Sequence, residues 1–314
     1  MMEPESKVGI VIPLYNKGTL VRRALNSVLN QTYQNFEVVV VDDGSTDEGP
    51  DVVRECSDPR VRLIRQANAG PGAARNRGVQ ETHAPYLAFL DADDEWMPLF
   101  LEVYVDGLRG HPDCDAVIGP TLFGPEKIDH CAVWQGMGIK EGVWSLGTDP
   151  TWEHLSRMMD LFSNGRAMFR STVVKRYGGF YSKDRCCFSE DKYLWLQVVL
   201  NHSVFILMKS LFWYHSEDSQ LYPPGMYGKP GFISPTLTDS DGIRRNCPSQ
   251  FMPLLQKYLS HEALRSLNEN AHTSQASRVI GLMKTLPLRR SFPWRYAKAR
   301  VKTLLYQSFG VKRC

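Results

Sequence analysis

Few features that mark a secreted or membrane-spanning protein occur in this 314-residue sequence. Its seven cysteines are odd in number and include no Cys-x-x-Cys pair, which argues against a disulfide framework or a zinc site and favours a reducing compartment. No apolar run is long enough to span a membrane, and the first seven residues contain no apolar signal region. We therefore expect a cytoplasmic location, either free or peripheral on the inner face of the membrane.

A glycine-rich phosphate-binding turn is also missing after the first predicted strand. That strand begins at Val8 and runs into Pro13-Leu14-Tyr15-Asn16. A dinucleotide-binding unit has Gly-x-Gly-x-x-Gly at this place, because glycine lets the backbone approach a pyrophosphate closely. The sequence therefore disfavours a dehydrogenase.

Acidic residues are absent from the C-terminal end of the chain. Residues 282–314 contain nine lysines or arginines, so that, with +3 for the whole chain, the remainder carries −6. Apolar residues recur there at helical spacing beside basic ones, as in helices that lie on anionic lipid headgroups, where each cation contributes about 1 kcal/mol. We expect this basic helix to contact an anionic membrane surface or to dock on the acidic part of the protein. No recognition motif supports a nucleic-acid partner. The apolar stripe consists of Trp294, Ala297, Val301, Leu304, Leu305 and Phe309, and it is flanked by Arg295, Lys298 and Lys302.

The most informative stretch is an apolar run that ends in three carboxylates. Residues 86–90 have the length and composition of a buried strand, and Asp91, Asp93 and Asp94 follow. Ligands of open α/β sheets bind beyond the carboxyl ends of the strands. Asp91 and Asp93 can leave the same side of the backbone, where Mg²⁺ or Mn²⁺ would relieve their repulsion. Alternatively, Asp93 or Asp94 caps a helix that begins at Pro98.

Strand and helix patterns alternate along the first third of the chain. Strands rich in apolar and β-branched residues are predicted at 36–41 and 61–64. An amphipathic helix is predicted from residue 19 to 29, and a glycine-rich turn enters another helix at 68–77. This alternation predicts an α/β fold with a doubly wound, mostly parallel sheet flanked by helices.

Polar groups at the ends of the first two strands suit a nucleotide. Tyr15 can stack on a nucleobase, and Asp43 can accept hydrogen bonds from base or ribose donors. Alternatively, Tyr15 is an aromatic residue at the edge of the core, and Asp42-Asp43 belongs to an ordinary turn.

Together these stretches resemble the catalytic domain of family 2 glycosyltransferases, which have the nucleotide-sugar-binding GT-A fold. Five segments follow the family's order and spacing: residues 10–16, 27–33, 40–47, 70–78 and 87–96. The resemblance implies that Pro13, Tyr15 and Asp43 frame the nucleoside, which is usually uridine. It implies too that Asp91 and Asp93 flank the diphosphate and its metal ion.

The resemblance extends to three further places. It implies that Arg75, near the start of the glycine-entered helix, faces the phosphates, although a surface helix position explains it equally. Glu190-Asp191 resembles the family's Glu-Asp motif, which places Glu190 with the substrate and makes Asp191 the general base; on local grounds the two would only complement the dipole of a helix capped by Ser189. Many relatives have Arg or His at the position of His215, where a histidine would complete the metal shell; a surface or capping role is the alternative.

The middle of the chain and its division into domains are predicted less directly. A helix is expected at 98–108 and a strand at 115–118, and three tryptophans, Trp134, Trp144 and Trp152, either bind the acceptor or pack locally. We expect a GT-A catalytic domain over residues 1–220, with a nucleotide-sugar-binding half at 1–97 and an acceptor half at 98–220. A Pro/Gly-rich loop at 221–248 and a helical basic extension at 249–314 are expected to follow.

The resemblance implies an inverting, metal-dependent glycosyltransferase that uses Mn²⁺ or Mg²⁺. Its expected donor is a nucleoside diphosphate sugar, most simply a UDP-sugar, and its expected acceptor is a glycan or lipid-linked hydroxyl in cell-envelope or exopolysaccharide synthesis. A non-catalytic nucleotide-sugar-binding module is one alternative, since it would keep Tyr15, Asp43 and Asp91 without a working base. A sugar-phosphate nucleotidyltransferase is another, although it would have a glycine-rich basic loop after the first strand.

Overall fold

A computed structural model of the chain describes residues 6–219, 232–270, 275–286, 292, 294–298 and 301. The chain divides into two compact units. The first consists of residues 1–145 and 162–221, and the second of residues 146–161 and 222–314.

Twelve strands occur in the described part of the chain, all of them in the first unit. They are β1 (Val8–Leu14), β2 (Phe36–Asp42), β3 (Val61–Arg65), β4 (Tyr86–Phe89), β5 (Glu95–Trp96), β6 (Cys114–Ile118), β7 (Thr121–Phe123), β8 (Ile128–Asp129), β9 (Gly142–Trp144), β10 (Ala167–Arg170), β11 (Ser203–Ile206) and β12 (Phe212–Tyr214).

The α-helices of the described residues are distributed over both units. Those of the first unit are α1 (Leu20–Leu29), α2 (Gly49–Arg54), α3 (Pro71–Glu81), α4 (Phe100–Gly110), α5 (Cys131–Gly136), α7 (Ser171–Arg176) and α8 (Glu190–Asn201). Those of the second unit are α6 (Trp152–Leu161), α9 (Pro235–Thr238), α10 (Asp241–Asn246), α11 (Met252–Asn270) and α12 (Ala276–Met283).

An eight-stranded sheet forms the centre of the first unit. Its strand order is β3-β2-β1-β4-β10-β6-β11-β9, and the first four strands in that order run parallel. Val38, Val39, Val40 and Val41 are fully buried, because helices cover both faces of a parallel sheet and leave no polar side to alternate with. The predicted α/β fold with a doubly wound, mostly parallel sheet is confirmed.

The register of the parallel strands brings their carboxyl ends to one edge. Leu14 pairs with Asp42, and the amide of Asp43 donates to the carbonyl of Leu14 at 2.8 Å. The amide of Leu90 donates in the same way to the carbonyl of Val11 at 3.1 Å. Residues that follow β1, β2 and β4 therefore emerge at the same edge of the sheet.

Strand β10 reverses direction within this sheet. It runs antiparallel to both β4 and β6, and Ala167 at its start pairs with Ile118 at the end of β6. The residue before β10, Arg166, therefore lies at the same edge as the acidic residues that follow β4. A reversal of this kind brings the amino end of a strand to the edge that carries the carboxyl ends of β1, β2 and β4.

A close backbone approach fixes the segment that precedes α8. A side-chain carbon on Gly72, in the first turn of α3, would lie 2.0 Å from the carbonyl oxygen of Tyr181. Only glycine permits this contact. Gly178 and Gly179, which follow the end of α7, have φ of 74° and 80°, the left-handed region that glycine adopts after a helix.

A second, four-stranded sheet of the first unit has the order β5-β12-β7-β8. Strand β12 pairs with β5 through Phe212 and Trp96, and with β7 through Tyr214 and Phe123. Through this sheet, β12 pairs with β5, the short strand that directly follows Asp91, Asp93 and Asp94.

The structure decides three local alternatives that the sequence left open. Helix α4 begins at Phe100 with no side-chain cap, so neither Asp93 nor Asp94 caps it. Ser189 precedes α8 with a left-handed φ of 59°, and its side chain makes no capping hydrogen bond. Trp134 is buried, so its indole is packed locally rather than exposed to an acceptor.

The second unit is helical where it is described. Helix α11 packs on α6 and α12, and the Trp152 ring lies 4.5 Å from His261 between their centroids. The prediction of a loop over residues 221–248 was wrong in part, because the short helices α9 and α10 lie within that range. The Ser234 hydroxyl caps α9 by accepting from the Thr236 amide. Residues 220–231 and most of the predicted basic helix, including Lys302, Leu304, Leu305 and Phe309, lie outside the described residues. No described helix is both long and apolar enough to cross a membrane.

Candidate active site

Asp43 holds together two of the loops at the sheet edge. Its Oδ1 accepts from the Ala69 amide at 2.9 Å and from Gln66 Nε2 at 2.7 Å, and its Oδ2 accepts from the Gly70 amide at 2.8 Å. A carboxylate offers about four acceptor positions, so three protein donors leave about one for a ligand. Asp43 was predicted as a ligand acceptor; the structure shows that it also fixes the loop before α3.

The loop after β1 leaves an aromatic ring at the same edge. Tyr15 is 45% exposed although it follows a fully buried stretch of β1. Asn16 adopts a φ of 50°, and its amide donates to the Ser45 hydroxyl at 3.1 Å. Pro13 is partly exposed within β1, where it pairs with Val41. Pro13, Tyr15 and Asp43 therefore occupy neighbouring strand ends, as the resemblance implies.

A buried guanidinium links two carboxylates from distant parts of the chain. Arg75 Nη2 donates to Asp91 Oδ1 at 2.5 Å, and Arg75 Nη1 donates to Glu190 Oε1 at 2.6 Å. The Arg75 side chain is only 5% exposed, whereas that of Asp91 is 43% exposed. Arg75 was predicted to face substrate phosphates or solvent, but its guanidinium instead contacts two carboxylates. Glu190 was predicted to lie with the substrate, but it instead contacts Arg75. Of Arg75, Asp91 and Glu190, the residue whose side chain reaches the open edge of the sheet is Asp91.

Burial governs the protonation of the two acids that begin α8. It raises the pKa of Glu190 to about 7, although Arg75 attracts the carboxylate and lowers the pKa. It also raises the pKa of Asp191, again opposed by Arg75. The charge of Asp91 raises the pKa of Asp191 too, so these two carboxylates are close enough to interact. A carboxyl group with a raised pKa is a better proton acceptor than an ordinary aspartate.

The second carboxylate of the predicted pair is held by a lysine. Lys17 Nζ contacts Asp93 Oδ2 and also donates to the carbonyl of Asp218 at 3.4 Å. Burial raises the pKa of Asp93, Lys17 opposes the rise, and the charge of Asp91 adds to it. Asp91 and Asp93 therefore repel each other across a short distance, as their spacing predicts.

Asp94 has a different role from its two neighbours. It is buried, and its Oδ1 accepts from the backbone amide of His215 at 3.0 Å. Burial and the charges of Asp93 and Asp91 raise its pKa well above the ordinary value. Asp94 thus ties the end of β12 to the turn after β4.

His215 is buried between carboxylates other than the predicted pair. Its Nδ1 lies 2.9 Å from Glu217 Oε1, and its Nε2 lies 3.1 Å from Glu95 Oε2. His215, Glu217 and Asp218 each offer an atom within 4.8 Å of the others, which is compact enough for one metal ion. Arg23 connects this cluster to the acidic turn, because its Nη2 contacts both the carbonyl of Asp93 and Asp218 Oδ2.

The donor set of the acidic turn fits a hard divalent cation. Asp91 has one oxygen on Arg75 and a side chain that is nearly half exposed, while Asp93 lies close enough to repel it. Two carboxylates with few other ligands suit Mg²⁺ or Mn²⁺, whose remaining positions are usually filled by water and phosphate oxygens. The residues present therefore fit the metal that the resemblance implies.

Sequence reasoning missed Lys17, Arg23 and the bridging role of Arg75. Arg75 and Glu190 are 115 positions apart in the chain, so no local pattern predicts their contact. Lys17 carried a usable signal, because it lies directly after the first predicted strand, at the edge where the acids were expected.

Both the sequence and the structure of this chain are similar to those of known proteins. The profile of Glycosyl transferase family 2 matches residues 9–178. YibD of Escherichia coli (strain K12), described as an uncharacterized glycosyltransferase, is 41% identical over 104 residues, which are 32% of this chain and 30% of YibD. The matched stretch thus spans less than a third of that relative.

Two solved structures share the fold over almost the whole chain. S. aureus TarS 1-349, crystallised with UDP-GlcNAc, superimposes with a TM-score of 0.66 and 20% identity over 96% of this chain and 91% of TarS. The mannosyltransferase PcManGT from Pyrobaculum calidifontis, in complex with GDP-Man and Mn²⁺, gives a TM-score of 0.52 and 16% identity over 99% of this chain and 89% of PcManGT. The predicted GT-A fold is confirmed by the likeness to TarS.

The buried Arg75 contacts predict a large loss of stability when the cation is removed. We expect Arg75→Gln to lower the free energy of unfolding by about 3–5 kcal/mol, because Glu190 would stay buried without its partner. Arg77→Gln is the matched control: Arg77 lies two residues on in the same helix, pairs with Glu81 at 2.7 Å and is about half exposed. It should cost no more than about 0.5 kcal/mol. Urea unfolding measures the stability loss of each variant. Equal losses would contradict the assignment of Arg75 as a buried cation that stabilises Glu190.

Proposed function

This chain belongs to Glycosyl transferase family 2, and on that premise we propose that it is an inverting glycosyltransferase that moves a sugar from a nucleoside diphosphate sugar to an acceptor hydroxyl. The observation that carries the proposal is the contact of Arg75 with both Asp91 and Glu190, which brings the acidic turn after β4 and the start of α8 together. TarS and PcManGT, by their descriptions, bind UDP-GlcNAc and GDP-Man, which supports a donor of this class.

The nucleoside end of the donor is assigned to the ends of β1 and β2. The exposed ring of Tyr15 is available for stacking on a base, and Pro13 lies beside it in the same strand. Asp43 retains an acceptor position for a base or ribose donor after its three protein contacts. We take uridine as the base because the family resemblance implies it.

The diphosphate end is assigned to the turn after β4. Asp91 and Asp93 would hold a divalent cation, Mn²⁺ or Mg²⁺. His215 is assigned to the metal shell on the family resemblance; among the described residues it lies in a compact group with Glu217 and Asp218. When bound, the cation supplies electrostatic stabilisation of charge on the departing diphosphate. Lys17 adds a positive charge beside Asp93, and Arg75 orients Asp91 by holding its inner oxygen.

Asp191 is assigned as the general base. It takes the proton of the acceptor hydroxyl while that oxygen forms a bond to the anomeric carbon, and the bond from that carbon to the diphosphate breaks. Because this is one displacement from the opposite face, the anomeric configuration inverts. The raised pKa of Asp191, which burial causes, favours acceptance of the proton. Glu190 acts through Arg75 rather than on the substrate.

Two other functions make different predictions from the same residues. A non-catalytic nucleotide-sugar-binding module would bind the donor without releasing nucleoside diphosphate. A sugar-phosphate nucleotidyltransferase would release pyrophosphate from a nucleoside triphosphate. The loop after β1 lacks the glycine-rich, basic sequence that a nucleotidyltransferase would use.

The donor assignment is tested by the release of nucleoside diphosphate from a panel of sugar donors with and without Mn²⁺. We expect release from at least one UDP-sugar, dependent on the metal, and none of pyrophosphate from UTP and a sugar phosphate. In Asp93→Ala, UDP binding measured by calorimetry should lose its dependence on Mn²⁺, because one carboxylate ligand is gone. Normal metal-dependent binding by that variant would count against the metal site.

The base assignment is tested by Asp191→Asn. Turnover should fall by roughly 10²–10⁴-fold, since the amide cannot accept the proton, while donor affinity is largely kept. Asp184→Asn is the control, because Asp184 is an exposed acid in the loop just before α8 and should leave turnover unaltered. Full turnover by Asp191→Asn would remove this residue from the mechanism.

We assign the acceptor to the class of cell-envelope or exopolysaccharide glycans, lipid-linked or free, and the protein to the cytoplasmic side. The basic stretch at 282–314 supports contact with an anionic membrane surface, and Trp294 is 87% exposed where that stretch is described. Co-sedimentation with phosphatidylglycerol vesicles should occur at low salt and fall at high salt. Equal sedimentation with neutral phosphatidylcholine vesicles would contradict an electrostatic attachment.

A further inference from the structure

A second arginine at the sheet edge has no acidic partner. Arg166 Nε donates to the Ser163 hydroxyl and Nη1 donates to the Thr121 hydroxyl, both at 3.0 Å. Within the described residues, no carboxylate lies within 4.0 Å of its guanidinium, and Nη2 makes no hydrogen bond. The residue is partly exposed at this edge. The described groups that contact its guanidinium are all neutral.

The backbone of Arg166 is held rigidly at this edge. Its carbonyl accepts from the Gly119 amide at 3.2 Å and from the Tyr104 hydroxyl at 2.9 Å. The guanidinium lies 5.5 Å from the ring centroid of Trp134, which is buried. Two side-chain hydrogen bonds and this ring fix the orientation of the cation. An arginine that is positioned in advance loses little conformational entropy when it binds an anion.

The position is unfavourable for a cation that has no partner. Burial lowers the pKa of Arg166 to about 10, and the electrostatic contributions of Tyr104 and Asp191 oppose this effect. A cation that stays unpaired at a protein's own expense is common where a ligand supplies the missing partner.

Arg166 directly precedes β10, the neighbour of β4, but its side chain turns away from β4. Its Nη1 bond to Thr121, which follows β6, directs the guanidinium toward the β6 side of the edge, whereas the acids that would hold the diphosphate follow β4 on the other side of β10. Asp191 contributes to the electrostatic environment of Arg166, so the cation shares its surroundings with the assigned base. A group bound by Arg166 would therefore belong to the molecule that Asp191 deprotonates.

We propose that Arg166 binds an anionic group, a phosphate or a carboxylate, on the acceptor close to the hydroxyl that is glycosylated. The inference rests on the proposed function, and it assigns the acceptor to anionic glycans or polyol phosphates rather than neutral ones. Arginine suits this task because its planar fork meets two oxygens of a phosphate or carboxylate at once. The nitrogen available for a new bond is Nη2.

The test measures binding of two matched pairs of probes by ligand-observed NMR. The pairs are glycerol 3-phosphate with glycerol, and glucuronate with glucose, added to the full chain saturated with UDP and Mg²⁺ so that the donor site is filled. At least one anionic probe should bind about 10- to 100-fold more tightly than its neutral partner, as expected for a charge-assisted hydrogen bond. The phosphate and carboxylate arms identify which anion is preferred. Equal binding of charged and neutral probes by the wild-type chain would overturn the proposal.

Variants test whether the preference for the anionic probe over its neutral partner depends on Arg166. Arg166→Gln should remove this preference, and Arg166→Lys should reduce it by about 3- to 10-fold because the planar fork is lost. Arg77→Gln, which changes an exposed arginine, should keep the preference. If Arg166→Gln fails to fold by circular dichroism, the lysine variant decides. A preference that is unchanged in the folded variants would overturn the proposal.

A charged donor sugar is the competing source of the anion. The ratio of UDP release from UDP-glucuronate and UDP-glucose should be the same in Arg166→Lys as in the wild type. A change in this ratio without a change in probe binding would place the anion on the donor and overturn the acceptor assignment. Failure of the proposed function is recognised separately, because the wild-type chain would then release no nucleoside diphosphate from any donor.

Discussion

The site depends on one buried guanidinium. Arg75 is almost inaccessible, and its two terminal nitrogens hold Asp91 after β4 and Glu190 at the start of α8. Glu190 could not be buried as a carboxylate close to Asp91 without such a cation, because it would lose its hydration and the two carboxylates would repel each other. Since Asp191 is the next residue after Glu190, the position of the assigned base follows from the same contact. Arg75 thus connects the donor side of the proposed site to the acceptor side.

The direction of one strand explains why the edge carries groups of both charges. Parallel strands deliver their carboxyl ends, and with them Asp43 and Asp91, to the edge where ligands bind in such sheets. Strand β10 runs the other way and delivers Arg166 to that edge. Lys17 adds a further cation from the loop after β1. The proposed site therefore has an acidic turn between cations, which suits a substrate that carries phosphate and an acceptor that carries an anion.

The sequence was sufficient for the fold and for the residues at the strand ends. Periodicity and β-branched composition placed β1 to β4 and α1, and the polar residues after each strand had to meet because parallel strands end at one edge. It was insufficient wherever a contact joins distant positions, as Arg75 does with Glu190. It also failed at residues 235–246, where proline and glycine indicated a loop but α9 and α10 form. Local composition cannot report the tertiary packing that stabilises such short helices.

The most direct test of the central claim is a double-mutant cycle on turnover. Nucleoside diphosphate release is compared among the wild-type chain, Arg75→Gln, Glu190→Gln and the double variant. If Arg75 and Glu190 act as one unit, the double variant should be no slower than Arg75→Gln alone, since each single change already breaks the contact that positions Asp191. Losses that multiply in the double variant would show that the two residues act independently and would contradict this account.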